Sequence, residues 1–125
     1  MKEIVSKIGK INKSDEEVYN YLSDFRNLNS IIPEDKIKNW SAEENECEFT
    51  IDGFGKAEMK IIEKEPNKLI KLSSYKETPF DFNLWIQLKQ IEENDTRVRI
   101  TLKAKLNPLM DAMVSKHLQK GVDTI

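Results

Sequence analysis

The sequence has almost none of the residues that form disulfides or bind structural metals. Its 125 residues include one cysteine, Cys47, and one histidine, His117. An internal disulfide needs two cysteines and a structural zinc site needs several cysteine or histidine ligands, so both are excluded. Neither a phosphate-binding loop nor a dinucleotide-binding fingerprint occurs, and we therefore expect no metal and no cofactor.

Long apolar runs and an excess of positive charge are also missing. No window approaches the roughly 18 apolar residues of a membrane-spanning helix, and the opening residues MKEIVSKIGKIN lack the apolar core of a signal peptide. Twenty basic side chains stand against 22 acidic ones, which gives a net charge of −2. No basic field therefore favours a nucleic-acid backbone. Together with the single cysteine, these absences predict a soluble cytoplasmic protein without nucleic-acid or integral membrane partners.

Glycine and proline, four of each, are too few and too scattered to form a linker or a repeat. A chain of this length can bury a hydrophobic core of its own. We therefore predict a single domain over residues 1–125.

The first part of the chain predicts a strand followed by helices. Residues 3–11, EIVSKIGKI, place isoleucines on one face and fit a half-buried strand. Ser14, with Glu17 three residues later, forms a capping box at the start of a helix. The apolar stripe of that helix consists of Val18, Tyr21, Leu22 and Phe25. A short second helix or turn follows and should end at Pro33, because the residue before a proline avoids helical geometry.

From residue 45 onward, apolar and polar residues alternate with a period of two, which predicts antiparallel strands with one buried face. Turns are predicted at residues 52–55 and at Pro66 and Asn67. The inward side chains of these strands are Cys47, Phe49, Ile51, Ala57, Met59, Ile61, Ile70, Leu72 and Ser74. We expect Cys47 to be a buried and chemically inert thiol.

The clearest pattern is a long hairpin in which every even position of residues 80–88 and 98–106 is apolar. These positions hold Phe80, Phe82, Leu84, Ile86, Leu88, Val98, Ile100, Leu102, Ala104 and Leu106. Directly opposed residues share a face of the sheet, so two apolar rows of the same parity need an odd number of loop residues. Residues 93–95, or the five residues 92–96, satisfy this condition.

This parity predicts a register for the hairpin. With residues 93–95 as the loop, Leu88 lies opposite Ile100. The same register places Trp85 beside Lys103 on the outer, polar face of the sheet, where its ring can lie against the lysine stem. An exposed tryptophan there can also mark a contact with another protein.

Residues 107–122, NPLMDAMVSKHLQKGV, predict a final helix with Asn107 as its cap and Pro108 at its first position. At 100° per residue, His117 and Gly121 fall within the apolar arc of this helix. The apolar residues of the arc are Leu109, Met110, Met113, Val114 and Leu118. His117 is then either a core histidine bonded to backbone or water, or a group that contacts a ligand.

The order of these elements resembles the START-like superfamily, also called SRPBCC or helix-grip, which includes polyketide cyclases and quinone chaperones. The resemblance rests on SDEEVYNYLSDFRNLNSIIP, the turn IEKEPNKL, the hairpin FDFNLWIQLKQIEENDTRVRITLKAKL and the closing helix. It implies an α+β fold in which a curved antiparallel sheet of about six or seven strands wraps around a long C-terminal helix. Two short helices follow the first strand in this arrangement.

The resemblance also implies a hydrophobic cavity between the sheet and the last helix. Its predicted lining residues are Phe49, Ile51, Met59, Ile61, Leu72, Ser74, Phe82, Leu84, Ile86, Ile100, Leu102, Met110, Met113, His117 and Gly121. Phe25, Leu28 and Ile32 are expected near its entrance.

These residues favour the binding or carriage of a small hydrophobic molecule, such as a lipid, an isoprenoid or an aromatic metabolite. His117 and Ser74 would hold its polar end. One alternative is an enzyme of the cyclase, dehydratase or hydrolase kind with His117 as acid or base. Another is a protein-interaction module with a filled core, whose outer face around Trp85, or whose loop at Phe54, binds a protein partner or a second copy of the chain. Asp24 and Arg26 are either capping and pairing residues or contacts for a polar ligand head.

Overall fold

A computed structural model describes residues 2–5, 7–30, 37–51, 53 and 55–105. These residues form one eight-stranded antiparallel sheet, an α-helix and a 3-10 helix. In chain order the elements are β1 (Lys2–Val5), β2 (Gly9–Ile11), α1 (Asp15–Leu22), the 3-10 helix (Phe25–Ser30), β3 (Ile37–Ala42), β4 (Glu46–Ile51), β5 (Gly55–Glu65), β6 (Leu69–Ser74), β7 (Phe82–Glu92) and β8 (Asp95–Ala104). Neighbouring strands follow the order β1-β8-β7-β6-β5-β4-β3, and β2 also pairs with β8.

The predicted helix-grip arrangement is wrong for the described part of the chain. The sheet has eight strands rather than six or seven, and the helices follow the second strand rather than the first. The described ranges contain no long helix, and none in them is long and apolar enough to cross a membrane. The final helix predicted from Pro108 lies outside the described residues.

Two register shifts explain the extra strands. The sequence predicts one strand over residues 3–11, but the pairing with β8 shifts by one residue between Val5 and Gly9 and so separates β1 from β2. In β3 the register shifts between Lys38 and Ser41, where Asn39 has a left-handed φ of 56°. A bulge interrupts the alternation of inward and outward side chains, so a bulged strand does not show the period of two.

Of the predicted capping box at the start of α1, the N-cap Ser14 is confirmed. The Glu17 N–H donates to Ser14 Oγ at 3.2 Å, and the Ser14 hydroxyl lies 3.4 Å from Glu17 Oε1. The predicted apolar stripe differs from the structure at two residues. Tyr21 is 41% exposed, while Tyr19 is buried, and Phe25 lies in the 3-10 helix because α1 ends at Leu22. Tyr21 donates its hydroxyl proton to the carbonyl of Asn27 at 2.8 Å, so its ring belongs to the junction with the 3-10 helix.

The parity argument for the hairpin of β7 and β8 is confirmed, but the predicted register is wrong by two residues. Leu88 pairs with Val98, two residues earlier than predicted. An odd number of residues is left unpaired at the tip of the hairpin. One lies at the register shift between Gln90 and Glu92, and two form the tight turn at residues 93–94. Asn94, with a φ of 56°, supplies the left-handed backbone that such a turn requires.

The two helices cover different parts of the inner face, which is the face that carries the buried strand residues. α1 contacts β6, β7 and β8, whereas the 3-10 helix contacts β3. Two hydrogen bonds hold the start of α1 against the hairpin. The buried Thr96 hydroxyl donates to the carbonyl of Lys13 at 2.8 Å, and the Asp15 N–H donates to Gln90 Oε1 at 2.9 Å.

Phe25 fills the contact between the 3-10 helix and β3. Its side chain is fully buried, and its ring meets Trp40 edge-on with 6.4 Å between ring centres. Trp40 in turn stacks on Phe49 at 5.7 Å. Because the bulge at Asn39 shifts the alternation of β3, Trp40 packs against the core rather than facing outward.

Candidate functional site

The structure places the described members of the predicted lining set on the inner face through their cross-strand pairing. One row crosses β5, β6, β7, β8 and β1 and consists of Ile61, Leu72, Leu84, Leu102 and Ile4. The next row, on β6, β7 and β8, consists of Ile70, Ile86 and Ile100. Met110, Met113, His117, Gly121 and the predicted entrance residue Ile32 lie outside the described residues.

The members of the lining set that the structure describes differ in how much of their surface they expose. Phe49, Leu72, Phe82, Ile86, Ile100 and Leu102 are buried, whereas Ile51, Met59, Ile61, Ser74 and Leu84 are half-buried. Met59 and Ile61 on β5 and Leu84 on β7 flank the buried Leu72 on β6. These four residues are termed the inner patch. They form a place on the inner face where apolar side chains keep accessible surface.

Ser74 borders the inner patch and brings one polar group to it. It lies opposite Met59 on β5, and its Oγ accepts a hydrogen bond from the Phe82 N–H at 3.1 Å. A serine hydroxyl that accepts one bond still has a proton of its own to donate. Ser74 therefore offers a hydrogen-bond donor beside apolar surface.

Cys47 is the other polar side chain near the inner patch. It lies opposite Met59 and is 6% exposed, so the prediction that it is buried is confirmed. Burial raises the pKa of the Cys47 thiol from 9.0 to about 12, and a backbone hydrogen bond with Met59 opposes this rise. The thiol is therefore protonated near neutral pH, and the thiolate that nucleophilic chemistry needs is scarce.

Asp24 and Arg26 bind each other at the junction of α1 and the 3-10 helix. Arg26 Nη2 donates to Asp24 Oδ2 at 2.6 Å, and Arg26 Nε donates to Asp24 Oδ1 at 3.0 Å. Through these hydrogen bonds Arg26 lowers the pKa of the Asp24 carboxyl, and Asp24 raises the pKa of the guanidinium. The pairing interpretation of these two residues is confirmed.

The pair has a testable pH signature. We expect Arg26→Gln to raise the pKa of Asp24 toward its ordinary value of 3.8, because the guanidinium hydrogen bond is lost. A carboxyl with a lowered folded-state pKa contributes stability above its ordinary pKa, and that contribution is lost as the pH falls through the lowered value. An NMR titration of the carboxyl carbons measures the shift. Asp95, which is paired with Arg97, is the internal control and should not move; an unchanged Asp24 pKa would contradict the assignment.

A polar cleft lies near the β3 edge of the sheet, and Cys47, which pairs with the predicted lining residue Met59, is part of its wall. Its volume is about 250 Å³. Its lining residues are Ser41, Ala42, Glu43, Glu46, Cys47, Glu48, Glu58, Tyr75 and Lys76. This cavity is termed the edge cleft. Lys56 bridges the carboxylates of Glu48 at 3.2 Å and Glu77 at 3.9 Å beside it.

Sequence reasoning missed the edge cleft because its acidic side chains come from different strands. The alternation in β4 places Glu48 on the outer side of its strand, but only the observed register brings Glu58 of β5 opposite it. Lys76, in the chain that follows β6, has a left-handed φ of 51°, which no sequence pattern indicated. Among the described residues, no group of three His, Cys, Asp or Glu side chains is placed to hold a metal ion.

Comparisons with known proteins find structural likeness without sequence likeness. No family model and no curated protein sequence matches the chain. A START superfamily protein from Mycobacterium smegmatis superposes with a TM-score of 0.69 at 14% identity, over 93% of this chain and 88% of that one. The Aha1 dimer from Colwellia psychrerythraea superposes with a TM-score of 0.62 at 20% identity, over 98% of this chain and 97% of that one. CalU16 from Micromonospora echinospora superposes with a TM-score of 0.60 at 20% identity, over 98% of this chain and 72% of that one.

At these identities the likeness shows the fold alone. The predicted resemblance to the START-like superfamily is thereby confirmed for the fold.

Proposed function

We propose that this chain, which has a START-like fold, binds a small apolar molecule against the inner face of its sheet. The observation that carries the proposal is the inner patch. Met59, Ile61 and Leu84 remain half-buried around Leu72, which is 3% exposed. An apolar ligand that covers such surface gains about 25 cal/mol for each Å² removed from water.

The polar neighbours of the inner patch indicate what kind of ligand fits. Ser74 provides one hydrogen-bond donor, and Cys47 stays a neutral thiol because burial raises its pKa. Neither group favours a charged ligand. A mainly apolar molecule with one hydrogen-bond acceptor, such as a lipid, an isoprenoid or an aromatic metabolite, is therefore the class we propose.

The proposed roles of His117 remain predictions, because this residue lies outside the described residues. As a ligand contact, its imidazole would add a second polar group beside Ser74. As an acid or base, it would make the protein an enzyme. His117→Ala separates these roles from the apolar binding itself, because the inner patch lies on β5, β6 and β7.

Native mass spectrometry of protein purified from cells tests the proposed function directly. We expect an apolar compound to co-purify and to be displaced by a hydrophobic fluorescent dye. Leu84→Asn should weaken dye binding at least about tenfold, because a polar group replaces apolar contact surface worth roughly 1.5–3 kcal/mol.

Ile62→Asn is the matched control, because Ile62 is 46% exposed and directly follows Ile61 of the inner patch. It should leave dye affinity unchanged, and thermal unfolding of both variants shows whether they are folded. If no apolar compound co-purifies and the wild-type protein binds no dye, the proposal is wrong. Equal weakening in the two variants would instead remove the inner patch as the site.

A further inference from the structure

Trp85 lies on the outer face with a lysine from each neighbouring strand over its ring. Lys71 Nζ on β6 lies 5.0 Å from the ring centre, and Lys103 Nζ on β8 lies 5.5 Å from it. Across the strands, Trp85 is paired directly with Lys71 and with Thr101. The predicted proximity of Trp85 and Lys103 is therefore confirmed, although the two residues are diagonal rather than direct partners.

The residues around this ring form a continuous surface on the outer side of the sheet. The surface is termed the outer patch and consists of Val5, Lys71, Trp85, Arg99, Thr101 and Lys103. Val5 pairs with Thr101 and is 42% exposed. The outer patch thus combines an aromatic ring and an exposed aliphatic side chain with three basic side chains.

Each lysine of the outer patch has one glutamate directly opposite it on the neighbouring strand, Glu3 for Lys103 and Glu63 for Lys71. Lys103 Nζ lies 4.0 Å from Glu3 Oε2, with 45% and 55% of the two side chains exposed, which is a weak surface pair. Arg99 donates to the neutral Gln87 Oε1 at 2.9 Å. Three basic side chains against these two glutamates leave a net charge of +1 at the outer patch, although the whole chain has a net charge of −2.

Lys71 shows most clearly that the basic side chains of the outer patch are not fully paired with carboxylates. Glu63 lies directly opposite it on β5, yet the described part of the chain shows no ion pair between them. The ammonium group of Lys71 lies over Trp85 instead. Both lysine ammonium groups are thus held beside one ring, where they can donate hydrogen bonds to a carboxylate of another molecule.

We propose that the outer patch docks an extended acidic segment of a partner protein. Alternate side chains of an extended segment lie about 7 Å apart and point the same way. Carboxylates at positions i and i+2 can therefore reach Lys71 and Lys103, which both lie within 5.5 Å of the Trp85 ring centre. Apolar contact with Trp85 and Val5 adds the aromatic anchor that protein interfaces commonly use.

The overall charge favours a short acidic segment over an extended polyanion. A segment of a few residues can contact the lysines alone, whereas a nucleic acid or an anionic bilayer also meets the glutamates beside them, Glu3 and Glu63. Trp85 is also half-buried, with a lysine ammonium group from each neighbouring strand beside its ring.

The chain contains a matched control for this arrangement. Tyr75 also has two lysine ammonium groups over its ring, Lys60 at 4.4 Å and Lys76 at 5.0 Å. However, Tyr75 and Lys76 line the edge cleft together with four glutamates, Glu43, Glu46, Glu48 and Glu58, whereas only two glutamates lie opposite the lysines of the outer patch. The local carboxylates should repel an acidic segment there, so the same pair of lysines beside an aromatic ring should not bind it.

Fluorescence anisotropy with a labelled ten-residue peptide of alternating glutamate and threonine tests the proposal. At 50 mM salt we expect binding that weakens about tenfold in the double variant Lys71→Gln/Lys103→Gln, because two charge pairs are lost. The control Lys60→Gln/Lys76→Gln should change the affinity less than about twofold. Raising the salt to 500 mM should weaken wild-type binding by at least about tenfold.

Three outcomes would overturn the proposal. The first is a dissociation constant weaker than about 1 mM at low salt. The second is equal binding by the wild type and Lys71→Gln/Lys103→Gln. The third is tighter binding of a single-stranded oligothymidine or of anionic vesicles than of the peptide. Thermal unfolding of both lysine variants shows whether they are folded. Dye binding should be the same in these variants as in the wild type, which separates this proposal from the proposed function.

Discussion

Replacing Phe25 with alanine should lower the free energy of unfolding by about 3–5 kcal/mol. Phe25 is fully buried, and its ring packs edge-on against Trp40, which in turn stacks on Phe49. Its backbone N–H also donates to the carbonyl of Glu44 at 3.0 Å, so the backbone cannot easily collapse into the space left behind. Urea denaturation followed by circular dichroism measures the loss.

Phe80→Ala is the control of the same chemistry. Phe80 is half-buried, and its ring lies 5.9 Å from that of Phe82. Less apolar surface is lost there, so we expect a decrease of no more than about 2 kcal/mol. Equal losses for the two substitutions would show that Phe25 does not hold the 3-10 helix to β3 in the way its burial indicates.

Cys47 should react with thiol reagents about a thousandfold more slowly in the folded protein at pH 8 than in the unfolded chain. Burial raises the pKa of its thiol from 9.0 to about 12, which lowers the reactive thiolate fraction by about that factor. The low exposure of the side chain adds a steric barrier. Alkylation kinetics with iodoacetamide, with and without 8 M urea as the unfolded reference, measure the ratio.

The same pKa shift has a definite sign for stability. The folded state holds the Cys47 proton more tightly than the unfolded state, so the linked stability is fully present below pH 9 and is lost as the pH rises toward 12. Cys47→Ser should reduce the loss of folding stability between pH 9 and 12, because serine does not titrate in that range. Rapid labelling of the native protein at pH 8, close to the rate in urea, would contradict both expectations.

The sequence predicted the inner face of the long strands well, because burial on one side requires a strict period of two. The hairpin rows that contain Ile86 and Ile100 lie on the buried face as predicted. Parity was also predictable, since a shift by one residue would turn an entire row outward. The bulge before Glu92 and the left-handed φ of Asn94 could not be predicted, because both depend on the backbone conformation that closes the turn.

β3 shows why other parts of the fold could not be predicted. Lys38 and Ser41 both pair with β4, but the bulge at Asn39 between them breaks the alternation on which the prediction depended. Trp40 therefore had no assigned side in the sequence, although it packs against Phe25 in the structure. Strand pairing over a distance supplies this information, and local pattern does not.

Some features of the candidate sites could be predicted from the sequence, and others require the pairing of strands. Single-strand alternation was sufficient to group Met59 with Ile61 and to place Trp85 on the outer face. The contact between Trp85 and Lys71 requires the register of β6 against β7, for which the sequence carried no signal. The edge cleft likewise depends on the pairing of Glu48 with Glu58.

The position of β8 in the sheet constrains how the chain can be made. β1 and β2 both pair with β8, which spans Asp95–Ala104. During synthesis the earliest strands therefore emerge from the ribosome long before the strand that completes their hydrogen bonds exists. Such distant pairing slows folding and leaves strand edges unprotected in the meantime. A nascent chain stopped before residue 95 should consequently be a better chaperone client than one released after residue 105.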